Sequence, residues 1–238
     1  MRFMDNKDIQ QCAVAPADSG VILPGENLMR TILCFGDSNT WGDPPGGNGR
    51  FAWNERWTGI LQSSLGNGFR VIEEGLCGRT TCFDDPFSPN RNGLAYLTVA
   101  LETHCPLDLL IIMLGTNDLK ANFNLSAFDI SRGIASLLAT ARNFSPEIPH
   151  ILLVSPPHVT NTDDFGILHQ FPDGIEKSRS LSAHYQRFAE LHSCHFFDAA
   201  SIAEASQIDG IHLDTENHRR LADSLTRTVV TIFKSEAR

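Results

Sequence analysis

Short apolar runs recur along this chain at 31–35, 69–73, 107–114 and 150–155, each rich in Ile, Leu and Val. Continuous runs of this length predict strands buried on both faces rather than half-exposed ones. A weaker run, 194–197, follows late in the chain. Between the runs the apolar period lengthens to that of a helix, at 53–65, 94–103, 125–142, 174–192 and 215–233. In 125–142, for example, Phe128, Ile130, Ile134, Leu137, Leu138 and Ala141 share one helical face. Strand and helix alternating in this way predict an α/β fold, a five-stranded parallel sheet covered by helices on both sides in three layers, α/β/α. Right-handed crossovers then gather the C-terminal strand ends at one edge, where such folds place their sites. Loops at 43–50, 84–92 and 156–174 are long enough to line a pocket there. Residues 1–28 carry no such pattern and contain Pro16, Gly20, Pro24 and Gly25; they read as a leader or flexible arm before one domain at 29–238.

Composition narrows the classes of partner. The 238 residues are 42% hydrophobic and 20% charged, enough apolar material for a sizeable core. A formal net charge of -9 argues against nucleic acid or an anionic membrane as partner, since both call for a basic surface. No run reaches the roughly 18 apolar residues of a membrane span, and no signal peptide is read at the N-terminus. A cytoplasmic location is therefore expected. The six cysteines, Cys12, Cys34, Cys77, Cys82, Cys105 and Cys194, are expected to be reduced and to act as small apolar residues.

Chemistry-bearing residues cluster where the predicted strands end. In "TILCFGDSNTWGD" the first strand stops at Gly36-Asp37-Ser38-Asn39, which delivers the Ser38 hydroxyl to the sheet edge; helix capping by Asp37 or Ser38 is the competing reading. After the second strand, "EEGLCGRTT" places Gly75 and Gly78 where backbone can approach a ligand closely, or where an ordinary turn needs them. The third strand ends in Gly115-Thr116-Asn117-Asp118, and an Asn amide there can donate to a developing oxyanion. Before the last helix, "DGIHLD" sets Asp209 three residues from His212, so that a carboxylate can hold one imidazole nitrogen while the other accepts a proton from Ser38.

Taken in order, Gly36-Asp37-Ser38-Asn39, Gly78, Gly115-Thr116-Asn117-Asp118 and Asp209-Gly210-Ile211-His212 resemble the blocks of the SGNH hydrolases, the GDSL-type esterases and lipases, over roughly 30–233. Thr40-Trp41-Gly42, "EEGLCGRTT", "DDP" and "PLDLLIIMLGTNDLK" are most similar to bacterial aryl esterases and acyltransferases with perhydrolase activity. The resemblance implies a flavodoxin-like SGNH hydrolase fold. It implies Ser38 as nucleophile, His212 as general base and acid, and Asp209 as the orienting carboxylate. The Ser38 and Gly78 amides and the Asn117 side chain would form the oxyanion hole. Asn39 stands where the family name has Leu. Small short-acyl esters, aryl or alkyl, are the implied substrates. Acyl transfer, a homo-oligomer and the absence of any cofactor are implied as well. The rival readings are a carbohydrate O-deacetylase on the same residues and a noncatalytic binding module on the same fold.

His192, Cys194 and His195 have ligand chemistry but no second cluster at suitable spacing, so no metal is expected. Pro44-Pro45-Gly46-Gly47 is no phosphate loop, because no lysine follows in place. Asn39, Trp41, Phe83 and Phe87 are the candidate pocket residues, with the aromatics as apolar walls.

Overall fold

The computed structural model describes residues 29–144 and 148–236. The expected leader at 1–28 lies outside the described residues. Five strands, β1 (Arg30–Gly36), β2 (Phe69–Gly75), β3 (Leu109–Met113), β4 (His150–Ser155) and β5 (His195–Asp198), form one sheet in the order β2-β1-β3-β4-β5. Every neighbouring pair is parallel. The central strands are buried on both faces, which is why they read as unbroken apolar runs rather than alternating ones.

Alternate residues of each strand feed separate cores. Leu33, Phe35, Leu110, Ile112, Ile151 and Leu153 pack with α3 (Gly93–His104), α4 (Ala127–Phe144) and α6 (Gly174–Leu191). Ile32, Cys34, Ile111, Met113, Leu152 and Val154 pack on the other side with α2 (Trp57–Leu65) and α7 (Thr215–Glu236). Together with the short α1 (Ser38–Trp41) and α5 (Phe165–Gln170), these make the predicted three layers.

Two expectations need correction. The helix predicted over 53–65 starts only at Trp57. Residues 53–55 form a turn, and a side chain at Gly59 would overlap the Trp53 carbonyl, so the turn is docked across the helix start. The loop at 156–174 carries a helix of its own, α5, capped by Asp164, whose carboxylate accepts from the Ile167 amide at 2.9 Å. Of the cysteines, Cys34 is fully buried, while Cys77, Cys82, Cys105 and Cys194 are half-buried; Cys12 lies outside the described residues. Among the described residues no helix is long and apolar enough to cross a membrane.

Candidate active site

β1 hands the chain directly to α1, and Ser38 is the first residue of that helix. The junction is too tight for any side chain at Gly36. A Cβ there would overlap the Thr40 hydroxyl and approach the Met113 carbonyl. Asp37 caps α1 by accepting from the Asn39 amide at 3.0 Å. Its other oxygen, Oδ2, is buried without a partner among the described residues. Burial pushes this carboxyl up to about 6, against the Asn39 amide and the charges of His212 and Arg79. Capping and presentation of Ser38 are thus both true of this stretch, divided between adjacent residues.

The loop before α7 supplies the partners. His212 Nε2 lies 2.9 Å from Ser38 Oγ, and His212 Nδ1 lies 2.8 Å from Asp209 Oδ2. Asp209 is held in turn by three backbone amides: Ile211 and His212 donate to Oδ1 at 3.1 and 2.9 Å, and Gly46 to Oδ2 at 2.8 Å. Burial resists ionisation of Asp209. The bonds from His212 and Gly46 outweigh it, bringing the carboxyl down to about 2. For His212, burial disfavours the charged ring, but the bond and charge of Asp209, followed by the charges of Asp43 and Asp37, raise it above its ordinary value of 6.5. A hydroxyl, imidazole and carboxylate in this chain can activate the oxygen as a nucleophile and return its proton to a leaving group.

Asn39, a candidate pocket residue, is buried and commits its side-chain amide to backbone. Its Nδ2 donates to the Ile211 carbonyl at 3.0 Å, and its Oδ1 accepts from the Leu213 amide at 2.9 Å. Both ends of the amide grip the backbone on either side of His212, so Asn39 clasps the β1 turn to the histidine loop.

The loops after β2 and β3 meet beside Ser38. Gly78 has φ +81, a left-handed conformation that suits glycine, and among the described residues neither its amide nor that of Ser38 donates to another group. Asn117 opens a short 3-10 turn after β3 and donates through Nδ2 to the Arg79 carbonyl at 3.1 Å, which leaves its second N–H for another acceptor. Asp118, fully buried, accepts from the Thr81 amide at 3.0 Å and the Thr81 hydroxyl at 2.5 Å. Burial pushes the Asp118 carboxyl up to about 7 despite these bonds. Arg79 is buried too; it donates to the Gly36 carbonyl at 2.8 Å and to the Glu74 carbonyl, binding the ends of β1 and β2.

The aromatic pocket candidates separate. The Trp41 ring lies under the Arg50 guanidinium, 4.9 Å from its centroid, and Arg50 Nε donates to the Trp41 carbonyl at 2.7 Å. Phe83 packs against Phe123 with ring centroids 6.3 Å apart. Phe87 is 80% exposed. A cavity of about 310 Å³ between His158, Thr160, Arg179 and Glu204 reaches the 206–212 loop at Gln207, yet neither Ser38 nor His212 lines it. Among the described residues no group of three or more His, Cys, Asp or Glu side chains could hold a metal ion. His195 instead faces His150, ring nitrogens 3.3 Å apart.

Sequence reasoning missed the Gly46 amide, the Asn39 clasp and Asp43. The Asp43 carboxylate lies 3.8 Å from His212 Nε2. A short helix that puts Ser38 at its start and Gly42 at its end was the available signal for Asp43, whose own amide returns to the Ser38 carbonyl at 3.0 Å.

Comparison with known proteins agrees with this geometry. The GDSL-like Lipase/Acylhydrolase family matches residues 34–220, and the chain belongs to that family. It is a carboxylic ester hydrolase of the SGNH type. The native aryl esterase of M. smegmatis is 42% identical over 85% of this chain and 99% of its own, with a TM-score of 0.82. A carbohydrate acetylesterase family member from Sinorhizobium meliloti is 42% identical over 84% of this chain and 97% of its own, with a TM-score of 0.81. No curated protein matches.

Proposed function

We propose that this protein hydrolyses small short-acyl esters, aryl or alkyl, through a covalent acyl-enzyme on Ser38. The observation that carries the reading is the unbroken chain from Ser38 Oγ through His212, 2.9 Å to Nε2 and 2.8 Å from Nδ1 to Asp209. Ser38 Oγ attacks the ester carbonyl carbon while Nε2 takes its proton. The carbonyl oxygen becomes an oxyanion that accepts from the Ser38 and Gly78 amides and from the second N–H of Asn117. Collapse breaks the bond to the alcohol oxygen, which leaves with the proton from Nε2. Water then repeats the sequence on the acyl-serine, and the serine is regenerated.

A primary alcohol or hydrogen peroxide entering in place of water would carry the acyl group away as an ester or a peracid. Vinyl acetate with benzyl alcohol in buffer should then give some benzyl acetate beside acetate. Self-association belongs to the same reading, supported by the exposed side chains of Phe87, Phe165 and Ile208, at 80%, 75% and 65%.

A second reading, O-deacetylation of an acetylated carbohydrate, is supported by the 42% identity to the Sinorhizobium meliloti carbohydrate acetylesterase family member. One experiment separates them: hydrolysis of p-nitrophenyl esters of increasing acyl length, run beside a peracetylated sugar. Falling turnover with acyl length and little release from the sugar favour the simple esterase. A sugar substrate that wins by kcat/KM favours the deacetylase.

A further inference from the structure

The carboxylate of Asp43 has no part in the proton relay, yet its Oδ2 lies 3.8 Å from His212 Nε2, the nitrogen that faces Ser38. The side chain is 20% exposed. Its place is fixed by the backbone. Gly42 ends α1 in the left-handed conformation, and the Gly42 and Asp43 amides both return to the Ser38 carbonyl, at 2.8 and 3.0 Å. The Arg91 side chain stands over Gly78, its Cδ 3.4 Å from where a Cβ on that residue would lie. The mouth is therefore polarised, negative beside the imidazole and positive beside the glycine amide. Asp43 also adjoins the half-buried Cys77 thiol, which is pushed up to about 12, first by burial and then by the Asp43 carboxylate.

Chemistry says which half of a substrate meets which charge. Nε2 must hand its proton to the alcohol oxygen, so the alcohol leaves on the Nε2 side, past Asp43. We propose that Asp43 is a specificity-determining residue that favours esters whose alcohol carries a cationic centre about two carbons from the ester oxygen, and disfavours anionic alcohols. This rests on the assignment of Ser38 and His212 above. A unit charge passing within about 6 Å of the carboxylate, at an effective dielectric constant of about 20, changes kcat/KM by about tenfold or more.

The test uses two acetate esters of the same shape that differ only in charge, acetylcholine and 3,3-dimethylbutyl acetate, with p-nitrophenyl acetate as a neutral reference. In the wild-type protein acetylcholine should be favoured in kcat/KM by about tenfold or more, and added salt should shrink the preference. In Asp43→Asn the ratio should fall to about one, and Asp43→Glu should retain most of it. Choline and 3,3-dimethylbutanol, compared as inhibitors of p-nitrophenyl acetate hydrolysis by the wild-type protein, read the same charge preference without relying on any variant's folding. A wild-type ratio near one, or a ratio unchanged in Asp43→Asn, overturns the proposal while leaving the esterase intact. Failure to turn over p-nitrophenyl acetate at all overturns the esterase reading and this inference with it.

Discussion

His212 is surrounded by carboxylates: Asp209 on Nδ1 at 2.8 Å, Asp43 at 3.8 Å from Nε2, and the charge of Asp37 acting from the α1 cap. The protonated ring is stabilised by that surrounding, and a protonated ring cannot take the serine proton. Raising the histidine therefore moves the loss of activity toward higher pH. The acid limb of kcat/KM for p-nitrophenyl acetate is expected above 6.5, the ordinary histidine value, and a limb below it would contradict this placement of charges. Asp209, at about 2, stays ionised throughout such a profile and adds no second limb near neutrality. In the proposed reaction Asn117 acts at a different moment. One of its N–H groups is committed to the Arg79 carbonyl, so the amide is already oriented before any oxyanion forms. Asn117→Ala should lower kcat by about 10²- to 10³-fold with little change in KM. An effect confined to KM would make Asn117 a substrate-binding group instead.

At the scale of elements, the site depends on two loops distant in sequence being held together. The Asn39 clasp spans 172 and 174 positions, and the Gly46–Asp209 bond spans 163. Asn39→Ala leaves the Ile211 carbonyl and the Leu213 amide without their partner. A loss of about 1–3 kcal/mol in urea unfolding is expected, with a fall in kcat because His212 loses its anchor. Unchanged stability and kcat would reduce Asn39 to a bystander. These same spans explain what could be read from the sequence. β3 declared itself because every one of its five residues, Leu109–Met113, is buried. Ser38, Asn117 and His212 could be placed because each follows a local signal, a strand end or a helix start. The clasp and the Gly46 amide carry no local signal; they exist only once the chain has closed, and Asp43 shows itself only through the end of α1 at Gly42. The start of α2 was misplaced for a related reason. Trp53 has helical spacing from Trp57, but the chain uses it to dock a turn onto Gly59.

At the scale of the whole molecule, the sheet order β2-β1-β3-β4-β5 brings the ends of β1, β2 and β3 side by side, so Ser38 and the loops that carry Gly78 and Asn117 share one edge. The mouth they form is bounded by loops whose largest apolar side chains, Phe87 and Ile208, are 80% and 65% exposed. We propose that a homo-oligomer covers them. Light scattering at micromolar concentration should give a multiple of the 26.3 kDa chain mass; a monomer would remove the case for a neighbour narrowing the site.

The central claim is that Ser38 forms the covalent bond to the acyl group, and one measurement meets it directly. The protein is treated with diethyl p-nitrophenyl phosphate, which transfers a diethylphosphoryl group to an activated serine and releases p-nitrophenolate. Intact-mass and peptide analysis then follow the label alongside residual hydrolysis of p-nitrophenyl acetate. One diethylphosphoryl group per chain on Ser38, activity lost in proportion to labelling, and no label on Ser38→Ala are the expected results. Full activity in the labelled protein, or a stoichiometric label on any other residue, would contradict it.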